Sequence, residues 1–238
     1  MCGRFVSTSP PDQIAAYFGA DVAVETLGEN FNVAPTHDVY GIVADAASGG
    51  ESPRLDAFHW GLLPSWAKDR KIASRMINAR SETLAEKPAF KGLFKKKRLI
   101  IPMDGFYEWK PGVEGGPVNS KGKPLKQPMF ITRVDGEPLS VAGLWSAWKD
   151  PEDPDGRWLH SATVITTSAN DLMSEVHDRM PVLVPADRRA EWLDPGNDDV
   201  ESLADLFTAR HDDELVMRAV STDVNNVRNN EPGLVDPI

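Results

Sequence analysis

The stretch MFITRVDGEPLSVAGLWSAWKDPEDPDGRWLHSATVITT, residues 129–167, decides the fold class. It holds three apolar runs rich in β-branched residues, Met129–Val134, Ser140–Leu144 and Ala162–Thr167. Such runs read as strands. The polar turn KDPEDPDG (Lys149–Gly156) lies between the last two, and no regular helical pattern separates the strands. A doubly wound sheet needs a helix after each strand, so this pattern excludes one. Working outward, further strands are predicted at Val39–Ala44, Arg54–Trp60, Leu99–Pro102 and Leu215–Val220. Helical signals lie at the periphery. SPPDQIAAYFG offers Ser9 as N-cap, Pro10 in the first turn, Ile14, Tyr17 and Phe18 on one face, and Gly19 as a stop. Asp187–Leu193 opens after Pro185 with Asp187 as its cap, and Val200–Arg210 follows. Pro111–Pro128, with four glycines and four prolines, reads as an exposed hairpin tip. Strand patterns resume on both sides of each loop, so one mostly antiparallel α+β domain is expected over residues 1–238.

The chain has 238 residues, a formal charge of −10 and one cysteine. This length can bury a sizeable core. A lone cysteine excludes an intrachain disulfide framework and any multi-cysteine metal site. No two histidines have metal-ligand spacing, so neither metal nor cofactor is expected. No apolar run reaches the roughly 18 residues of a membrane span. MCGRFVSTSP lacks the features of a signal peptide. A soluble, cytoplasmic protein with no membrane partner is expected.

The acidic average hides an asymmetry. Trp66–Arg133 carries 16 Lys and Arg against 6 Asp and Glu, and the remainder carries 10 against 30. The densest part, KPAFKGLFKKKR (Lys87–Arg98), interleaves cations with Phe90 and Phe94. That pattern fits a nucleic-acid face with the acidic remainder turned away, and equally a solvated helix face.

Cys2 follows Met1 directly. If a methionine aminopeptidase removes Met1, Cys2 presents a free α-amine and a thiol two carbons apart. An α-amine has a pKa of about 7.7–8.0, so part of it is neutral near pH 7, unlike a lysine. Amines add to aldehydes to form imines, and a neighbouring thiol can close the imine to a thiazolidine. The alternative is that Cys2 is a small buried hydrophobe.

Seven segments occur in order: MCGRF (1–5), FNVAPT (31–36), WGLLPSWAKD (60–69), INARSET (77–83), IPMDGFYEW (101–109), HDRMPVLV (177–184) and VSTDVNNVRNNEPGLVDP (220–237). Together they resemble the SOS-response-associated peptidase family, whose members shield abasic sites in single-stranded DNA. The resemblance implies a barrel-like core of twisted sheets with peripheral helices. It also implies cross-linking of ring-opened abasic sites through an N-terminal cysteine, first as an imine and then as a thiazolidine. Cys2 is then the nucleophile, Glu108 a general acid/base, Asn78 the group that positions the sugar and amine, and His177 a support for the imine stage and its reversal. Arg4, Arg80 and Arg179 match phosphate-binding positions, and Pro35 and Trp66 match apolar positions against which bases rest. Trp60 reads as core, and His37, His59, His160 and His211 match no functional position. The implied partner is single-stranded DNA containing abasic sites, with the protein nucleoid-associated when bound. Leu99 stands where family members often have a cysteine, and the Pro111–Pro128 loop is long for the family.

Two rival readings use the same residues. One is a cysteine peptidase built from Cys2, His177 and Glu108, acting at most on its own N-terminus, although no oxyanion hole is identifiable. The other is a non-covalent single-strand binder, with reversible, salt-sensitive affinity.

Overall fold

The computed structural model describes residues 2–44, 52–118, 121–153, 155–156, 158–208 and 214–238. Met1, Arg210 and His211 lie outside them. The first half runs β1 (Phe5–Ser7), α1 (Pro11–Phe18), β2 (Asp21–Val22), β3 (Asn30–Val33), β4 (Asp38–Ala44), β5 (Pro53–Trp60), β6 (Asn78–Arg80) and α2 (Pro88–Lys96). Then come β7 (Arg98–Met103), β8 (Gly105–Lys110), β9 (Gln127–Arg133), β10 (Leu139–Lys149), β11 (Trp158–Ser168), α3 (Asp171–Ser174) and β12 (Arg179–Pro181). The chain continues through α4 (Arg189–Leu193), α5 (Val200–Ala204) and β13 (Leu215–Ala219). No helix among the described residues is long and apolar enough to cross a membrane.

The architecture is a single α+β domain. β11, β10, β7, β4 and β5 follow one another in the larger sheet, and β5 pairs back onto β11, closing a five-stranded circuit. Antiparallel ladders join β10 to β11 and β7, and β4 to β5. The closing β5–β11 pair is parallel. Phe58, Trp60, Leu99, Ile101, Val141 and Val164 belong to the main core cluster. Trp60 is fully buried, as expected, and its indole N–H donates to Ile77 O at 3.1 Å. The second sheet, ordered β13-β9-β8-β1-β3, packs against the same cluster through Phe5, Phe106 and Ile131.

The structure extends or corrects several sequence expectations. The predicted strands at Ser140–Leu144 and Ala162–Thr167 are the cores of eleven-residue strands, paired antiparallel from Gly143 opposite Val164 to Lys149 opposite Trp158. Pro111–Pro128 does connect two paired strands, β8 and β9. Ser9 is not the cap of α1. The helix begins at Pro11 after an extended Pro10, and the Ser9 hydroxyl instead donates to Asp104 Oδ1 at 2.6 Å. Asp104 also accepts from the Thr8 N–H, the Thr8 hydroxyl and the Ser9 N–H. Gly19 does stop the helix, at φ 62°, a left-handed conformation that glycine adopts without steric cost. Asp187 caps nothing. It sits inside a 3-10 turn ahead of α4, for which no side-chain cap is present. The α-helical part of Val200–Arg210 ends at Ala204 and passes into a 3-10 turn to Phe207.

The basic stretch Lys87–Arg98 forms α2 and the start of β7. Pro88 occupies the first turn, and Lys95 and Lys96 lie in the last, where cations favour the helix dipole. Phe90 and Phe94 are buried in the second core cluster, so no aromatic ring interleaves the exposed lysines. This resolves the stretch as a solvated helix face. Arg98 is itself buried. Its five N–H donors reach the carbonyls of Phe94, Lys95, Trp192, Asp194 and Asn197, tying α2 to the segment after α4.

Candidate functional site

The N-terminal segment is held inside the second sheet. β1 lies between β3 and β8, with Phe5 opposite both Val33 and Phe106. The Tyr107 N–H donates to Arg4 O and the Asp104 N–H to Val6 O, each at 2.9 Å. Gly105 on the same strand makes room for β9, because a Cβ there would stand 2.5 Å from the Phe130 ring. This register delivers Cys2 into the main core cluster with no exposed surface.

Two candidate side chains act on Cys2 there, Asn78 through a hydrogen bond and Glu108 through its charge. The Asn78 amide donates to Cys2 O at 2.8 Å. Only the NH2 end of an amide can donate to a carbonyl, so this bond fixes the orientation of Asn78. Its Oδ1 is then a buried acceptor with no hydrogen-bond partner. Glu108 is buried on β8, two residues from Phe106 and so on the same strand face, the face that meets the main core cluster. Burial first, and then the negative charge of Glu108, push the Cys2 thiol well above the ordinary thiol range. The thiol is therefore protonated at neutral pH.

His177 follows α3, and its N–H closes the turn onto Met173 O. Its Nδ1 lies 3.0 Å from the Arg179 N–H and 2.7 Å from Asp178 Oδ1. The first contact needs a bare Nδ1 and the second an Nδ1–H. Met173, Val176 and Met180 pack in the same cluster as Cys2, and Lys110 at the end of β8 pairs with Glu175 at 3.0 Å. These contacts bring the His177 segment against the strand that carries Glu108.

The predicted phosphate ligands differ in state. Arg80 is exposed, on the same face of β6 as Asn78. Arg4 is half-buried and donates to two neutral acceptors, Asn32 Oδ1 at 2.7 Å and Val224 O at 2.9 Å. Arg179 engages the Glu82 carboxylate through both terminal nitrogens and donates to Thr166 O at 2.6 Å. Trp66 is 59% exposed beside a cleft of about 430 Å³ that Lys68, Lys71 and Arg75 also line. Pro35 occupies the second position of a turn closed by His37 N–H to Ala34 O. The following Thr36 has φ 75°. Among the unmatched histidines, His37 Nδ1 accepts from the Ala34 N–H, His59 lies 3.9 Å from Asp38, and His160 packs on Phe58 and Trp145.

One set of residues escaped the sequence reading. Asn32 donates to Val224 O, Asn226 O and Asn229 O while accepting from Arg4, so it fastens the C-terminal segment beside the site. Trp109 joins the same wall through its N–H to Asn225 Oδ1. The asparagines of FNVAPT and VNNVRNN were the available signal, since a buried amide needs several partners at once.

The buried Cys2 thus accepts from a strand amide and lies in the field of a buried strand carboxylate, on an α+β barrel-like core. The chain belongs to the family described as SOS response associated peptidase (SRAP), whose model matches residues 1–227. It is 41% identical over 239 residues to abasic site processing protein YoqW of Bacillus subtilis (strain 168), covering 99% of both chains. It is 36% identical over 192 residues to abasic site processing protein HMCES of Xenopus tropicalis, covering 75% of this chain and 56% of that one. A crystal structure of a Bacteroides thetaiotaomicron protein superimposes with a TM-score of 0.84 at 25% identity, covering 100% of both chains.

Proposed function

We propose that this chain captures abasic sites in single-stranded DNA covalently through Cys2. The observation that carries the proposal is that buried Cys2 accepts from the Asn78 amide while buried Glu108 stands on the β8 face that meets the same core cluster. The names of the relatives supply the substrate class, DNA that has lost a base.

With Met1 removed, Cys2 carries the α-amine. The neutral amine adds to the C1′ aldehyde of the ring-opened sugar. The Glu108 carboxylate takes the proton from the nitrogen of the resulting carbinolamine and delivers it to the hydroxyl, which leaves as water and gives the imine. The Cys2 sulfur then adds to the imine carbon and the thiol proton passes to the nitrogen, closing the thiazolidine. Aldehyde and aminothiol combine with loss of one water. A raised thiol pKa suits this order, because the sulfur keeps its proton until the imine is formed. Asn78 Oδ1 is placed to accept from the amine or a sugar hydroxyl. His177 exchanges protons at the imine stage and in reversal. Arg4, Arg80 and Arg179 bind phosphates, while Pro35 and Trp66 rest against bases. A cysteine peptidase needs a thiolate near neutral pH, and the burial of Cys2 and the charge of Glu108 act in the opposite direction.

The test uses protein whose lack of Met1 is verified by intact mass, mixed with a single-stranded oligonucleotide bearing one abasic site. A slower band on a denaturing gel is expected from wild type, with no thiazolidine from Cys2→Ala or from protein retaining Met1. Absence of the adduct from verified mature wild type overturns the proposal.

A further inference from the structure

Among the described residues, Arg179 is the one of the three arginines proposed to bind phosphate whose fork a carboxylate fills, that of Glu82, which also lies in the field of Arg80. Glu82 meets both ends of the guanidinium fork, the arrangement that two phosphate oxygens would adopt. The guanidinium does not need Glu82 to stay in place. Its Nη2 also donates to Thr166 O at 2.6 Å, and the Arg179 backbone is fixed opposite Ser168 in the β11–β12 ladder. The Arg179 side chain is 12% exposed, whereas that of Glu82 is 51% exposed and has solvent to move into. β6 and β12 both pair with β11, Arg80 opposite Thr166 and Arg179 opposite Ser168, so the Arg179–Glu82 pair lies beside Arg80, two residues along β6 from Asn78.

We infer that Glu82 is a positioning residue that sets specificity, occupying the Arg179 fork as a stand-in for phosphate until a strand seated at Cys2 displaces it. This rests on the reading of the site given above. Intact DNA must exchange one anion for another at Arg179 and gains little there. A strand tethered through its aldehyde holds its phosphate at high effective concentration and wins the exchange. The overall acidic charge of the chain and this occupied fork act in the same direction, keeping affinity for undamaged strands low.

The experiment is a two-by-two set, wild type, Glu82→Gln, Arg179→Gln and the double variant, titrated with an undamaged fluorescent single-stranded oligonucleotide at several salt concentrations. Thermal melts confirm folding of each variant. Glu82→Gln is expected to bind undamaged DNA roughly three- to five-fold more tightly, the scale of one partly exposed ion pair. That gain should vanish in the Arg179→Gln background, where the log–log salt slope should also fall by about 0.7. A strut role predicts weaker or unchanged binding from Glu82→Gln, and either result overturns the inference. So does a gain that survives loss of Arg179. Because the oligonucleotide has no aldehyde, this readout is independent of whether Cys2 cross-links.

Discussion

Asn78 donates to the carbonyl of Cys2 at 2.8 Å, across 76 residues of sequence, and its other amide atom is buried without a partner. The bond fixes the backbone from which the Cys2 amine departs, and the vacant acceptor awaits a donor. Asn78→Asp keeps an acceptor at that place and removes the donor to Cys2. Single-turnover adduct formation is expected to slow roughly 10- to 100-fold, the range for leaving one buried polar group without its partner. An unchanged rate would remove Asn78 from the chemistry.

The Cys2 thiol gives a stability signature in alkali. Its folded-state pKa lies above the unfolded value of about 8.5. The unfolded chain therefore loses the proton first, and stability present below that pH is lost as pH rises beyond it. Denaturant melts of wild type and Cys2→Ala should diverge by about 2 kcal/mol between pH 8 and pH 10, with wild type losing more. Parallel pH profiles would show that the thiol titrates normally.

Residues 129–167 were legible because β-branched runs and a polar turn are local signals. Ser9 misled because its hydroxyl is claimed by Asp104, 95 residues away, and no local pattern reports that competition. β1, β6 and β12 have three residues each, too few to show a period, so candidates on or near them were named from motif order. Cys2 and Asn78 were named in that way, and so was Glu108 on β8. The carboxylate on Arg179 was not, since Glu82 lies 97 residues off and reads locally as part of INARSET. Arg98 was read with the lysines around it, although its acceptors in residues 192–197 make it an interior group.

Thr36 is a β-branched residue at φ 75°, in the turn after Pro35, and its N–H donates to Trp60 O at 2.8 Å. Left-handed backbone costs such a residue about 1–2 kcal/mol, and strain of this kind gathers at binding sites. Thr36→Gly should raise stability by about 0.5–1 kcal/mol in a denaturant melt, after the entropic cost of glycine. If the strain serves to hold Pro35 against a base, the same variant should bind undamaged single strands more weakly.

Arg98 should behave as a core residue despite its place in a basic run. Arg98→Met removes all five donors and leaves the carbonyls of Phe94, Lys95, Trp192, Asp194 and Asn197 to find other partners. The expected loss is about 3 kcal/mol or more in a denaturant melt, beyond the usual range for a surface charge. A change under 1 kcal/mol would mean that water replaces the guanidinium easily.

The cations that follow DNA should be those near Asn78, not those of α2. Lys91 and Lys95 are exposed on a helix whose aromatic residues, Phe90 and Phe94, face the core, so neither ring of that helix can stack a base. Arg80 shares a strand face with Asn78, whose amide touches Cys2. Arg80→Gln should lower the log–log salt slope for single-stranded DNA by about 0.7, one phosphate's worth. The double variant Lys91→Gln and Lys95→Gln should leave that slope unchanged, apart from the weak long-range field that 0.15 M salt screens within about 8 Å. The reverse result would place the strand along α2, and the buried Phe90 and Phe94 would then have no part in holding it.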